Sequence, residues 1–79
     1  MNFLHLYYFR IVAEELNITR AAKRLFISQQ SLSNHIRHME EHFNTKLFYR
    51  QPKLRLTYAG ERVLATAVGV SPARQTMDL

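Results

Sequence analysis

Apolar residues recur at helical spacing near the start of the chain. Within residues 3–16 they follow one another at steps of three, three, one and three, which predicts an amphipathic helix. These residues are Leu6, Phe9, Val12, Ala13 and Leu16. Asn17 interrupts the pattern, and either Asn17 or Thr19 is suited to cap the next helix. That second helix, TRAAKRLF, is short and turns small side chains inward, so a neighbouring helix can approach closely.

A third helix is predicted from about Gln29 to Phe43, and its two sides differ in chemistry. Ser28 is placed as its N-cap, after a tight connection at Ile27. The apolar side carries Leu32, Ile36, Met39 and Phe43. The other side carries Gln29, Gln30, Ser33, Asn34 and Arg37, with no acidic residue before Glu40. Amide and guanidinium groups can hydrogen-bond purine edges in the DNA major groove, although a merely soluble surface is the alternative.

The spacing changes from helical to strand type after Asn44. KLFYR and LRLT are short runs of β type separated by QPK, and Pro52 belongs at the turn because it cannot donate to a β-ladder. These runs predict a two-stranded hairpin over about residues 46–56. It carries the basic residues Lys46, Arg50, Lys53 and Arg55.

A fourth helix is predicted to begin after Thr57, which is suited to cap it. One side of this helix is lined by Val63, Leu64, Ala67 and Val68. Gly69 and the Ser71-Pro72 pair should end it. Residues 69–79 have no clear pattern and are expected to be a frayed or truncated tail.

The length, composition and net charge of the chain limit the classes of function that it can have. With 79 residues and no Cys, the chain is expected to be one small domain without disulfides. No stretch holds the roughly 18 uncharged apolar residues of a membrane span, so no membrane partner is expected. The absence of Cys and of a secretory signal fits a cytoplasmic protein. The net charge is +5, and residues 20–55 hold eight basic residues against two glutamates. That concentration favours a polyanion partner, with a solvated basic face as the alternative.

Residues 38–42, HMEEH, fit the H-x-x-E-H spacing of a zinc-peptidase motif. His38 and His42 are one helical turn apart, so a shared metal is sterically possible. A peptidase also needs a third ligand, an open coordination position and a cleft. Only Glu61 and Asp78 follow as acids, in a chain too short for much of a cleft. We therefore expect no metal, no cofactor and no enzyme activity, with adventitious metal binding by the His pair as the alternative.

The order of the elements is that of a helix-turn-helix followed by a wing. The predicted fold is mostly α with a small β-hairpin: a winged helix-turn-helix over residues 1–57, then the start of a C-terminal linker helix over residues 58–68. In such a fold the third helix enters the major groove, and the wing reaches the DNA backbone or minor groove. The core is expected to contain Phe9, Leu25, Leu32, Ile36, Met39 and Phe48.

The motifs between residue 4 and about residue 66 resemble the N-terminal DNA-binding domain of LysR-type transcriptional regulators. The matching residues are Phe9, Ala21-Ala22, Ser28-Gln29, Leu32-Ser33, Ile36, Met39-Glu40, Leu47-Phe48-Tyr49-Arg50 and Leu56-Thr57-Tyr58-Ala59-Gly60. Each motif alone is weak, but the ordered set at this spacing is highly specific. The resemblance implies a homodimer formed through the linker helix and an interrupted palindromic operator in double-stranded DNA. It also implies a small-molecule effector bound by a C-terminal domain, which is expected to be missing from these 79 residues.

Three features depart from the pattern of that family. Gln30 replaces a usual Pro, so it keeps a base-reading side chain on a less rigid backbone. Asn34 stands where Arg is common, which favours adenine over guanine. The wing is about one residue shorter and lacks its common Gly, which puts the reach of Lys53 in doubt.

Two sets of functional residues are predicted. The DNA-binding set is Ser28, Gln29, Gln30, Ser33, Asn34, Arg37, Arg50, Lys53 and Arg55. The dimerisation set is Val63, Leu64, Ala67 and Val68. Lys53 and Arg55 are either DNA contacts or solvated charges, and Arg50 either faces DNA or braces the domain. Tyr7 and Tyr8 are interpreted as packing or dimer contacts, because no aromatic sheet surface accompanies them as a base-stacking platform.

Two other binding functions remain open at this point. One is a stand-alone winged-helix regulator of another family, and the other is a winged-helix module that binds protein. A steep salt dependence of DNA binding separates both regulators from the protein-binding module. A longer reading frame with an α/β effector domain separates a LysR-type regulator from other winged-helix regulators.

Overall fold

A computed structural model of the chain describes residues 2–68. The helices are α1 (Phe3–Glu15), α2 (Ile18–Leu25), α3 (Gln29–Phe43) and α4 (Tyr58–Val68), and the strands are β1 (Phe48–Tyr49) and β2 (Arg55–Leu56). Four helices and a small antiparallel hairpin confirm the predicted fold class. Within the described residues, no helix has the length and apolar character needed to cross a membrane. The predicted tail, with Gly69 and Pro72, lies outside residues 2–68.

Side-chain caps begin the first three helices. The Asn2 amide oxygen accepts from the backbone N–H of His5 at 3.1 Å, and that of Asn17 accepts from Arg20 at 2.9 Å. Asn17 rather than Thr19 therefore caps α2. The Ser28 hydroxyl accepts from the N–H of Ser31 at 3.0 Å, which confirms the predicted cap of α3. Each cap satisfies a backbone donor that has no partner within its own helix.

The same three helices end at left-handed residues that are not glycine. Leu16, Phe26 and Asn44 have φ angles of 48°, 57° and 55°. In the turn after α2, the N–H of Ile27 donates to the carbonyl of Ala22 at 3.1 Å, which closes the helix and sends the chain towards α3. Asn tolerates this conformation, whereas a residue such as Phe loses about 1–2 kcal/mol in it. Phe26 is also 94% exposed, so few contacts offset that cost.

The core lies between α1, α2, α3 and the first strand. It contains Phe9, Ile11, Val12, Ala21, Ala22, Leu32, Ile36, Met39, Leu47 and Phe48. The rings of Phe9 and Phe48 lie 5.2 Å apart between centroids, so the hairpin is packed directly on α1. Of the predicted core residues, Leu25 is only half-buried and packs at the edge. Phe43, which the helical spacing places on the apolar side of α3, lies in the last turn of that helix and is 39% exposed.

The wing is shorter than its sequence predicts. Only two residue pairs form the ladder, Phe48 with Leu56 and Tyr49 with Arg55. The carbonyl of Leu47 also accepts from the N–H of Thr57 at 3.0 Å, and the hairpin ends there because α4 begins at the next residue, Tyr58. The wing therefore depends on neighbouring elements for its position.

Thr57 and Gly60 fix the start of α4 against the base of the wing. The Thr57 hydroxyl accepts from the N–H of Gly60 at 3.0 Å and donates to the carbonyl of Lys46 at 2.8 Å. This confirms Thr57 as the cap. A Cβ atom at Gly60 would lie 2.1 Å from the Leu47 carbonyl oxygen, which is far inside contact distance. Glycine is required here because two stretches of backbone pass so close together.

Candidate nucleic-acid interface

Helix α3 presents three surfaces of different chemistry. Leu32, Ile36 and Met39 face the core and are buried. The polar face, as we name it, consists of Gln29, Gln30, Ser33, Asn34 and Arg37. All of these are exposed except Ser33, which is half-buried. The structure therefore brings the predicted base-reading residues together on one accessible surface. The third surface carries the histidines His35, His38 and His42.

Hydrogen bonds link the side chains of the polar face to one another. The Asn34 amide oxygen accepts from Gln30 Nε2 at 3.4 Å and from the guanidinium of Arg37. The amide oxygen is thus the partner of two side chains from adjacent turns. Adenine recognition by Asn needs that oxygen as an acceptor for the base amino group. Asn34 must therefore exchange at least one internal bond for a base contact.

Ser28 stands at the N-terminus of α3, beside the polar face. Its hydroxyl oxygen accepts the capping hydrogen bond, so the side chain already has a structural function. The first amides of a helix and the positive end of its dipole favour an anion such as a phosphate. Ser28 is exposed and next to Gln29, so the predicted contact with DNA is sterically compatible with the cap.

The wing presents basic side chains at its surface. Lys53 lies in the exposed tip between the strands. The guanidinium of Arg55 lies 4.3 Å from the ring centroid of Tyr49, its partner in the ladder. A cation–π contact of this kind holds the charge against the hairpin without removing it from solvent. Both predicted wing contacts are accessible, and Arg55 has the more restricted side chain.

Arg50 binds a buried acid, which is the geometry of the bracing alternative. Its two terminal nitrogens lie 3.3 Å from the two carboxylate oxygens of Glu40, and Nη1 also donates to the carbonyl of Phe48 at 3.2 Å. Glu40 is 6% exposed, and its carboxylate also accepts from the backbone of Leu47 and Phe48. The Arg50 side chain remains 47% exposed, so its outer edge is available. A contact between Arg50 and DNA stays a prediction.

The sequence interpretation missed Glu40. The sequence analysis matched Glu40 to the Met-Glu motif of the family but predicted no function for its side chain. One signal was present: an acid one turn beyond a surface free of acids, followed by a hairpin rich in basic residues.

The basic stretch of residues 20–55 is partly neutralised in three dimensions. Arg24 Nη1 lies 2.9 Å from a carboxylate oxygen of Glu14 and 3.0 Å from one of Glu15, and Arg20 Nε lies 3.3 Å from the other carboxylate oxygen of Glu15. The hydrogen bond from Arg24 lowers the pKa of the Glu14 carboxyl. Dividing the charge by position along the chain was therefore misleading, because α1 supplies acids to α2. Arg20 and Arg24 therefore offer less unpaired positive charge than their number in the sequence suggests.

All four histidines of the chain lie on α1 and α3. The ring of His5 is 5.0 Å from that of His35 and 6.4 Å from that of His38, and His35 also packs on Tyr8 at 4.8 Å. His38 and His42 of the HMEEH motif are exposed. Within the described residues, no group of three or more potential ligands is placed to hold a metal ion. The motif thus lies beside the other histidines on a helix surface.

Helix α4 uses part of its predicted dimer stripe to pack on its own domain. Val63 and Leu64 are half-buried against the core, and Ala67 is half-buried. Ala65, which the stripe did not include, is buried. The side chain of Val68 lies outside the description. A groove of about 380 Å³ runs beside the helix, lined by Leu6, Phe43, Thr45, Leu47, Ala59, Arg62, Val63 and Thr66.

Known proteins share this arrangement. The family model for bacterial regulatory helix-turn-helix proteins of the lysR family matches residues 3–61. The chain belongs to the LysR family. It is 48% identical over 60 residues to the HTH-type transcriptional regulator CatR of Pseudomonas putida, an alignment covering 76% of this chain and 21% of CatR. This LysR-family chain thus spans about a fifth of that relative's length.

Solved structures of DNA-binding domains share the fold. One is the BenM DNA-binding domain in complex with catB site 1 DNA, with a TM-score of 0.83 and 32% identity, covering 99% of this chain and 85% of that one. Another is the complex of the CbnR DNA-binding domain with DNA, with a TM-score of 0.82 and 36% identity, covering 87% and 80%. The LysR-family resemblance and the winged-helix fold inferred from the sequence are confirmed.

Proposed function

We propose that this chain is the DNA-binding domain of a LysR-type transcriptional regulator and binds duplex DNA sequence-specifically. The observation that carries the proposal is the polar face of α3, an exposed surface of amides, a hydroxyl and a guanidinium without an acid. It lies in a fold whose relatives have been solved in complex with DNA. The alternative of a winged-helix module that binds protein is not favoured by those relatives.

The polar face of α3 and the wing make different kinds of contact with DNA in this proposal. The polar face enters the major groove, where Gln29, Ser33 and Asn34 contact base edges and Arg37 contacts a base or a phosphate. Ser28 and Gln30 contact DNA at the start of the same helix. The wing supplies backbone or minor-groove contacts through Lys53 and Arg55, and these contacts set affinity more than sequence preference.

The oligomeric state is a further part of the proposal. A homodimer formed through α4 matches an interrupted palindrome, because two-fold symmetry places two recognition helices on successive half-sites. Tyr7 is exposed on α1 and is the next candidate for the interface, whereas Tyr8 packs against His35. A small-molecule effector would bind a separate domain, and the protein would act in the cytoplasm.

Selection of bound sequences from random duplex DNA tests the proposal most directly. We expect a preferred site with two related halves. The affinity for that site should fall steeply as salt concentration rises, because phosphate contacts release counterions. Enrichment of no sequence, together with affinity that does not respond to salt, would refute DNA binding.

A further inference from the structure

Glu40 is a buried acid beside a basic surface. It lines a cavity between α3 and the wing together with Ser33, Arg37, Lys46 and Arg50. A carboxylate loses hydration on burial and is stable there only when hydrogen bonds and opposite charges replace the water. A negative charge here also repels DNA phosphate. Its position therefore calls for a reason other than direct contact with DNA.

The contacts of Glu40 join α3 to the base of the wing. One carboxylate oxygen accepts from the backbone N–H of Leu47 at 2.8 Å and of Phe48 at 3.3 Å. The Arg50 guanidinium binds both oxygens at 3.3 Å. These bonds hold the residue before β1, the first residue of β1 and the residue after it. The backbone at the start of β1 and the residue after β1 are thus tied to one side chain of α3, in addition to the packing of Phe48 on α1.

The hairpin needs such an anchor because its own ladder has only two pairs. Isolated two-stranded hairpins are marginally stable, so a hairpin this short takes its position from what it packs on. We infer that Glu40 is a positioning residue for DNA binding. It holds the wing and Arg50 at a fixed place relative to the polar face, so that Lys53 and Arg55 reach the backbone while α3 lies in the groove. The inference rests on the proposed function.

Charge and positioning predict opposite effects for Glu40→Gln. If only charge mattered, removing one negative charge roughly 10 Å from a phosphate would tighten binding by about twofold. If Glu40 positions the wing, Gln weakens the anchor: its amide oxygen can still accept from Leu47 and Phe48, but its amide nitrogen then faces the guanidinium of Arg50, donor against donor, with no charge to hold it. We expect binding to weaken on the order of tenfold. The slope of log affinity against log salt should fall by about one unit for each phosphate that the displaced wing no longer reaches.

Glu41→Gln is the matched control. Glu41 is the next residue of α3, is exposed, and carries the same charge. Its replacement should tighten binding by about twofold and leave the salt slope unchanged. Both variants and the parent chain are titrated with a duplex selected from a random pool and with an unrelated duplex, at several salt concentrations. Tighter binding of Glu40→Gln than of the parent, with an unchanged slope, would overturn the inference.

Amide hydrogen exchange without DNA separates positioning from unfolding. In Glu40→Gln the amides of Leu47 and Phe48 should lose part of their protection, because the neutral amide oxygen is a weaker acceptor than the carboxylate, while those of Phe9 and Val12 in α1 keep theirs. If the α1 amides also lose protection, Arg50→Lys replaces Glu40→Gln in both assays. It keeps the charge but loses the two-pronged geometry, and it should lower the salt slope in the same direction. Full protection of the wing amides in a folded Glu40→Gln whose affinity and salt slope equal those of the parent refutes the anchor. If the parent binds no duplex, the proposed function fails, while the exchange measurement still tests the anchor.

Discussion

The turn between α2 and α3 offers a direct test of backbone strain. Phe26 has φ 57° and ψ 38° and is 94% exposed. Its Cβ atom makes the left-handed conformation unfavourable by about 1–2 kcal/mol. Because the ring has few neighbours, removing it sacrifices little buried surface. Replacing Phe26 with Gly should therefore stabilise the domain, which is unusual for a substitution from a large apolar residue to glycine.

The size of the gain follows from two opposing effects. Glycine removes the left-handed penalty but makes the unfolded chain more flexible, which costs about 0.5–1 kcal/mol. The net gain in the free energy of unfolding is about 1 kcal/mol. For a domain of this size, that raises the midpoint of thermal unfolding by roughly 4–8 °C. Phe26→Asn should also stabilise, because Asn tolerates the conformation.

Thermal and urea unfolding followed by circular dichroism measure this effect. The control is Phe26→Ala, which removes the ring but keeps the Cβ atom. If the strain belongs to the backbone, Phe26→Ala should fall clearly short of Phe26→Gly, and the urea m value should not change. An Ala variant as stable as the Gly variant would show that the exposed ring, not the backbone, is responsible. A Gly variant less stable than the parent would show that the ring makes stabilising contacts.

Four further outcomes are expected. Asn34→Ala should cost roughly 1–3 kcal/mol on the preferred site and relax the preference at one base pair in competition titrations, and equal losses on random DNA would remove its base-reading role. Lys53→Ala should weaken binding to all sequences alike and lower the salt slope by about one unit, whereas an unchanged slope excludes a phosphate contact. Burial, the charges of His35 and the N-terminus, and then His38 lower the pKa of His5 below its ordinary value of 6.5, so the folded state binds fewer protons than the unfolded state. The free energy of unfolding is therefore highest above about pH 6.5 and decreases as the pH falls through the lowered pKa. In urea unfolding between pH 7.5 and 5, His5→Asn should lose less stability than the parent, and identical pH profiles of the two proteins would contradict this prediction. Gly60→Ala should destabilise the fold by about 3 kcal/mol or more in urea, because its Cβ would meet the Leu47 carbonyl, and a loss below about 1 kcal/mol would mean that the two backbones separate easily.

Local rules were enough to predict most of the helical structure. Apolar spacing placed the helices, and the caps at Ser28 and Thr57 follow from side chains that can accept from the first turn. Asn17 and Thr19 could not be separated, because both side chains are acceptors and the choice depends on where α2 meets α1. The exposure of Phe43 could not be predicted from the sequence for a related reason. Helical periodicity assigns a direction, but only the neighbouring elements decide whether that direction is covered.

The polar face was predictable because its residues lie on one helix, where direction follows from sequence spacing. The arrangement around Glu40 was not, because it joins residues seven to ten positions apart across a change of secondary structure. The ion pairs of Arg20 and Arg24 with Glu15 of α1 were not predictable for the same reason, because they join two different helices. A count of charges along the sequence does not show which of them form ion pairs, because that depends on how the helices pack. The predicted assignment of each residue to DNA stays a prediction.

The short connections between the helices limit how this recognition surface can evolve. Leu16 is the C-cap of α1, and the next residue, Asn17, is the N-cap of α2. Phe26 is the C-cap of α2, and Ser28, two residues later, is the N-cap of α3. An inserted residue would have to displace a cap or a left-handed turn, and α3 would move with it. The wing tip at residues 51–53 is exposed and serves no helix end. Changes of binding preference on α3 should therefore arise by exchange of side chains at constant length, whereas insertions and deletions should be tolerated mainly at the wing tip.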